Sequence, residues 1–337
     1  MKILKALLIF TAFFLLGFIV FYLWASSPSS NKIKAAEVHY FSNTSNVLPD
    51  TFDVITYNIG YMSGMTNNLA VERPISLIEK NLKESISLLR EMNPHIIAFQ
   101  EIDFASSRSY QINQFERLAH SLDYQAGATA INWNKNYVPF PYWPFKYHFG
   151  KTISGQAVLS RTHILSNQRV VLPFPESNTF FYNDFYLDRL LQMCWLQNGA
   201  DSILIMNVHF EAWDAPTREL QSKIVSDVYL SYEKDHPILL LGDFNCIPPF
   251  EENGEQEQTI RDILDLPNLK MVTKQEDYHS QPIDFFTFNS EHPYQKIDYI
   301  FYNNRYIDCL DYRVLHEAGS VSDHLPLYAR LRFKSFH

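Results

Sequence analysis

Three patterns of apolar positions run along the chain. Residues 6–24 (ALLIFTAFFLLGFIVFYLW) are apolar except for Thr11. Residues 75–91 place Ile75, Leu77, Ile78, Leu82, Ile86 and Leu89 near helical spacing, which predicts an amphipathic helix stopped by Pro94. Residues 238–241 (ILLL) have no polar position, as expected of a strand covered on both faces. Further strand-like runs stand at 52–57, 95–99, 155–159, 162–171, 189–197, 202–209, 297–302 and 326–333. Helices are predicted at 111–122 and 216–234, the second with Pro216 in its first turn. This mixture implies an α/β sandwich with buried sheets. No internal repeat and no second-domain boundary stand out.

As a helix, residues 6–24 rise about 28 Å at about 1.5 Å per residue, close to the hydrocarbon thickness of a bilayer. Lys2 and Lys5 precede the run and favour a cytoplasmic N-terminus, with the rest of the chain outside. The chain therefore reads as a signal anchor or transmembrane helix over 1–25, a Ser/Asn/Pro-rich linker over 26–50 and one domain over 51–337. A cleaved signal, which would make the protein secreted, and a buried helix are the alternatives. Ala25-Ser26-Ser27 is a poor cleavage site, and no cysteine stands near it for lipid attachment. Residues 131–150 hold three prolines and many aromatics. They predict a loop packed over a sheet, or a rim that binds substrate or faces a membrane.

Charge bears on partners. The chain carries 28 basic and 37 acidic residues. Tight non-specific binding to nucleic acid draws on a basic surface, and no basic run is present. A local basic groove stays compatible with the sequence, as does a bound metal that offsets acidic charge. The three cysteines (Cys194, Cys246, Cys309) cannot all pair within the chain and match no zinc spacing, so they read as small hydrophobes. No protein partner is evident.

The chemistry lies at the ends of the strand-like runs. Tyr57-Asn58-Ile59-Gly60, Phe99-Gln100-Glu101, Asn207-Val208-His209 and Gly242-Asp243-Phe244-Asn245 each follow an apolar run. Two more polar segments stand near the C-terminus, Lys296-Ile297-Asp298-Tyr299 and Ser322-Asp323-His324. Ligands commonly sit beyond the carboxyl ends of strands in α/β sheets. If these ends converge, Glu101, Asp243, Asp298 and Asp323 gather around one point. Like charges stay close only with a cation or a proton between them, and oxygen clusters favour hard ions such as Mg²⁺. Singly, each residue has a plainer reading. An Asp after a strand is usually a turn or cap residue, Asn58 fits an Asx turn, and His209 fits a satisfied buried histidine.

Taken in order, these segments resemble the endonuclease/exonuclease/phosphatase superfamily, metal-dependent phosphodiesterases with a pancreatic-deoxyribonuclease-like fold. The resemblance covers residues 52–333. It rests most on Gln100-Glu101, Gly242-Asp243-Phe244-Asn245 and Ser322-Asp323-His324-Leu325-Pro326-Leu327. Support comes from Tyr57-Asn58, residues 155–160, Asn207-Val208-His209 and residues 297–301. It implies a four-layer α/β sandwich of two packed mixed β-sheets with outer helices. It also implies a Mg²⁺ site, with Mn²⁺ as the alternative ion, in which Glu101, Asn58 and Asp323 bind metal. Asp243 would orient or deprotonate the attacking water, and Asn245 would hold phosphate or water. His209 and His324 would contact phosphate oxygens, and Asp298 would orient His324. Arg218 is a further candidate for substrate binding, with helix-surface pairing as the plainer reading.

The family spans nucleases, lipid phosphodiesterases, inositol-phosphate phosphatases and RNA deadenylases. Val321-Ser322-Asp323-His324 differs from the Trp-Cys-Asp-Arg type segment of the inositol polyphosphate phosphatases. Tyr57-Asn58-Ile59-Gly60 differs from the Trp-Asn-Val-Asp-Gly type opening of the abasic-site endonucleases. Three readings follow: a membrane-anchored phosphodiesterase acting outside the cytoplasm on a lipid head group, an exported nuclease acting on DNA or RNA, and a non-catalytic binding domain. The complete set of site residues speaks against the third.

Overall fold

The run Ile238–Asp243 has no polar face because, in the computed structural model, neither face meets water. Leu239 and Leu241 enter a core shared by two stacked sheets, whereas Ile238 and Leu240 enter a second core beneath helices. The structure describes residues 1–30, 32–42, 46–251, 254 and 258–334.

In chain order the elements are α1 (Lys2–Ser26), β1 (Ala36–Tyr40), β2 (Thr51–Asn58), α2 (Ile75–Met92), β3 (Ile96–Asp103), α3 (Gln114–Ser121), β4 (Ala126–Val138), β5 (Gly150–Ser160), β6 (Ile164–Val171) and α4 (Phe180–Asn183). There follow β7 (Leu190–Asn198), β8 (Asp201–His209), α5 (Ala215–Tyr232), β9 (Ile238–Asp243), α6 (Thr259–Leu264), β10 (Leu269–Met271), α7 (Gln275–Ser280), β11 (Asp298–Asn303), β12 (Ile307–Val314) and β13 (Leu327–Phe333). One sheet has the order β1-β4-β5-β3-β2-β13-β12, the other β10-β11-β9-β8-β7-β6. Each holds one parallel pair near its middle, β2 with β3 and β8 with β9, and its other pairings are antiparallel. Helices α2 and α3 bury Ile78, Leu82, Leu89, Phe115 and Leu118 against the first sheet. Helices α5 and α6 bury Val225, Tyr229, Ile260 and Ile263 against the second. The expected two mixed sheets with flanking helices are present.

Local chemistry sets several boundaries. Asp214 caps α5 by accepting from the Thr217 amide, with Pro216 in the first turn. Asn93 ends α2 in the left-handed region. Between the sheets runs a buried amide network. Asn207 Oδ1 accepts from Gln100 Nε2 at 2.7 Å, while its Nδ2 donates to the Phe99 carbonyl and to Gln192 Oε1. Gln156 Nε2 donates to the Asn207 carbonyl at 2.9 Å. These buried bonds tie β3, β5, β7 and β8 in one register beneath the strand ends.

Two expectations change, and one alternative falls away. The linker 26–50 is not all tether, because residues 36–40 form β1 and pair with β4 from Ala36↔Ala130 to Tyr40↔Ala126. Residues 131–138 are not loop but the second half of β4, paired with β5, and the loop begins at Pro139. Small and polar residues in β4 (AGATAINWNKNYV) hide its strand character. Finally, α1 is a single helix long and apolar enough to cross a membrane, and its apolar span is exposed, so it is not a core helix.

Candidate active site

Register alone assembles the centre. His209 on β8 is opposite Asp243 on β9, and Asp243 is opposite Asp298 on β11. In the first sheet Asn58 on β2 is opposite Gln100 on β3. The sheets meet at this end, where Asn58 Nδ2 donates to Asp243 Oδ2 at 2.8 Å. A bulge between Phe99 and Ile102 turns Glu101 out of the β3 ladder, with φ 52°. Asn245 also has positive φ, 49°, with its backbone amide on Asp243 Oδ1 at 2.9 Å and its Nδ2 on the Phe210 carbonyl. Two non-glycine residues in the left-handed region at one site are strained conformations that the surrounding fold holds in place.

The two histidines are driven in opposite directions. Burial pulls His324 down, but Asp298 and Asp243 outweigh it and hold the ring well above its ordinary value. Its Nδ1 donates to Asp298 Oδ2 at 2.8 Å, which leaves Nε2 facing inward, 3.8 Å from Asp243 Oδ2. Burial, with the charges of Arg189 and His324, pushes His209 well below its ordinary value. Because a guanidinium only donates, His209 Nε2 accepts from Arg189 Nη1 at 2.6 Å. One imidazolium and one neutral imidazole therefore stand on either side of Asp243. Environments that separate two like groups in this way divide acid from base roles.

The carboxylates suit a cation. Burial raises the Asp243 carboxyl to about 7, with the charge of Asp298 adding to the effect. Burial and then Asp323 raise Glu101. Asp298 Oδ1 is buried without a hydrogen-bond partner. Asp243, Asp298 and His324 could hold a metal ion, since one ligand atom from each lies within 4.8 Å of the others. Glu101 and Asp323 line the same cavity, and Asn67 Nδ2 stands between them at 2.7 Å and 3.5 Å. A divalent ion would remove the repulsion that burial imposes on these oxygens.

Residues 55–324 match the sequence model of the Endonuclease/Exonuclease/phosphatase family. The chain belongs to that family. No curated protein matches it. Among solved structures, an endonuclease/exonuclease/phosphatase from Beutenbergia cavernae DSM 12333 is 20% identical with TM-score 0.59, over 84% of this chain and 72% of the other. The human Nocturnin catalytic domain with bound sulfate anion is 15% identical with TM-score 0.59, over 91% and 99%. D. rerio TDP2 complexed with single strand DNA product is 13% identical with TM-score 0.57, over 84% and 99%. At these identities the likeness shows the fold. Family membership and the ligand group together make the chain a hydrolase of phosphoester bonds with a metal-dependent site.

Within this family member, the expected site residues meet in one place, with two exceptions of role. Asn58, His209, Asp243, Asp298 and His324 form the contacts above, and Glu101, Asn245 and Asp323 line the cavity beside them. The sequence puts the metal on Asn58, Glu101 and Asp323, whereas the most compact ligand group is Asp243, Asp298 and His324. Asn58 has its Oδ1 engaged by the Gly60 amide and its Nδ2 on Asp243. Arg218 also lines the cavity, but its Nη1 holds the Glu211 and Ala212 carbonyls, which fits a structural part in the turn before α5.

Sequence reading passes over two site residues. Arg189 is 3% exposed, lines the cavity and bonds His209, Tyr186 and Glu211. An arginine opening the apolar run at 189–197 is the signal that marks it. Asn67 lies in a polar turn that offers no pattern. Its bond to Glu101 makes a prediction: Asn67→Ala should raise the Mg²⁺ concentration for half-maximal activity by about tenfold with little change in kcat, since partners of metal ligands tune affinity. A metal titration of the hydrolysis rate reads this directly, and an unchanged midpoint would remove Asn67 from the site.

Proposed function

We propose that the chain is a Mg²⁺-dependent phosphodiesterase in which Asp243, Asn245, His209 and His324 surround the scissile phosphate. The observation that carries this reading is the buried Asp243 carboxylate set between two histidines, with Oδ2 3.5 Å from His209 Nε2 and 3.8 Å from His324 Nε2. Asp243 accepts the proton of the attacking water, because a base works best near its operating pH. The imidazolium of His324, held by Asp298, donates to a phosphate oxygen as charge develops there. Asn245 and Arg189, which line the cavity, position the phosphate, and His209 holds the Arg189 guanidinium by accepting from its Nη1. Glu101 and Asp323, on the cavity wall with Asn67 between them, would hold the ion, which would supply Lewis-acid polarisation of the phosphoryl group when bound.

The substrate readings divide on different observations. The cavity has a volume of about 790 Å³, and its walls include Tyr61, Trp133, Phe140, Phe149, Phe181 and Tyr186. A half-open cavity with one aromatic side, beside a helix long enough to span a membrane, fits a compact phosphodiester with an apolar part, as in a lipid head group outside the cytoplasm. The nuclease reading has more direct support from the comparisons, through the TDP2 structure that holds a single strand DNA product, and aromatic walls also stack bases. Full-length protein assayed with Mg²⁺ on plasmid DNA, single-stranded DNA, RNA, sphingomyelin and phosphatidylinositol separates them. Rapid cleavage of nucleic acid without lipid turnover rejects the lipid reading, and the reverse result rejects the nuclease.

A further inference from the structure

The aromatic side of the cavity continues onto the surface. Trp143 and Phe145 in the loop after β4 are 72% and 65% exposed, and Phe180 at the start of α4 is 65% exposed. Surface aromatics of this size gathered at one edge mark an interaction site. They are not loose ends. A small separate core of Trp133, Val138, Phe149 and Leu187, with Phe140 and Tyr186 against it, supports both segments. Trp133 Nε1 also donates to the Phe185 carbonyl at 2.9 Å.

The last turns of α1 dock on this same edge. Tyr22 packs edge-on against Phe181 and Phe185, and its hydroxyl donates to Asp184. Phe21 and Trp24 lie against Tyr137. Lys135 Nζ bonds the Ser26 carbonyl and Asn136 Nδ2 the Trp24 carbonyl, so the end of β4 fills the open acceptors of the helix terminus. This fixes depth. At about 1.5 Å per residue, Phe21–Trp24 lie within roughly 8 Å of the end of α1. Whatever packs on them lies at the same level, which for a spanning helix is the head-group region.

We propose that the edge formed by residues 139–148 and 180–186 seats in the lipid–water interface of the membrane that α1 spans, with the cavity mouth at head-group depth. The partner is the bilayer surface. Trp and Tyr rings suit that zone because one end is apolar and the other wet. The inference rests on α1 as a membrane span and not on which phosphodiester is cleaved.

The test uses the full chain in phosphatidylcholine nanodiscs, in a Cys309→Ser background because Cys194 and Cys246 are buried. An environment-sensitive label is placed by Trp143→Cys, Phe180→Cys, Leu15→Cys or Arg313→Cys, and quenched by lipids brominated near the head group for 143, 180 and 313 and near the middle of the acyl chain for 15, which lies mid-helix. Arg313 lies on β12, five strands from β4, or about 24 Å at about 4.8 Å per strand. Labels at 143 and 180 are expected to lose fluorescence while the label at 313 does not. Quenching at 15 with none at 143 and 180 overturns the seat and leaves the hydrolase reading standing. Absence of quenching at all four positions overturns the seat together with the span. If the edge instead pairs two copies, one per nanodisc will still show quenching at 143 only if lipid covers it, so an unquenched label in single-copy discs also overturns it.

Discussion

Asp243→Asn is expected to lower kcat for phosphodiester hydrolysis about a thousandfold or more, while the protein becomes more resistant to unfolding in the presence of chelator. The first effect follows from removing the group that takes the proton of the attacking water. The second follows from linkage. The Asp243 carboxyl, ordinarily near 3.8, rises in the fold to about 7, chiefly through burial. Between these values the folded state binds more protons than the unfolded state, so this group's contribution falls as pH rises through that window. Above neutral pH the ionised carboxylate weighs against the fold. Asparagine removes the charge and keeps an acceptor for the Asn245 amide, while its NH₂ replaces the oxygen that accepts from Asn58 Nδ2, a loss smaller than the gain from removing a buried charge. Activity and thermal unfolding measured on one preparation read both effects. A variant that loses activity because it has unfolded would count against the assignment.

Gly242→Ala, one residue earlier, is expected to do the opposite: lose the fold, and activity only as a consequence. Gly242 has φ 138°, and an added Cβ would stand 2.0 Å from the Val208 carbonyl oxygen of the parallel neighbour β8. That contact is backbone, so no side chain can turn away. The clash and the backbone conformation together should cost roughly 3–5 kcal/mol. Thermal unfolding of the variant should shift down strongly, or the protein should not accumulate folded. A variant with unchanged unfolding would mean that the β8–β9 spacing gives way more easily than its register indicates.

The contrast between these neighbours shows what the chain declares in advance. Ile238–Leu241 is legible because a strand buried on both faces has no polar position. The glycine, the carboxylate and Asn245 stand out because they interrupt that run. The same holds for Glu101 after HIIAF and His209 after a strand-like run. What stays hidden depends on pairing rather than pattern. Edge strands β1 and β12 are half polar, and β1 pairs with β4, beyond β2 and β3 in the chain. The first half of β4 is small because Gly127 lies under the Phe115 ring and leaves no room for a Cβ. Asn67 joins the site through a turn, and Arg189 through the width of a sheet. The opposed histidines cannot be read from sequence either, since each depends on partners 20 or more positions away.

The central claim is that a divalent ion and Asp243 together hydrolyse a phosphodiester at this site. The most direct measurement is turnover of bis(nitrophenyl) phosphate by the detergent-solubilised full chain with Mg²⁺, with excess chelator, and with Mg²⁺ returned, beside Asp243→Asn. The expected result is hydrolysis that disappears on chelation, recovers with Mg²⁺ and is absent from the variant. Hydrolysis that survives chelation, or a variant as active as the natural chain, would contradict it.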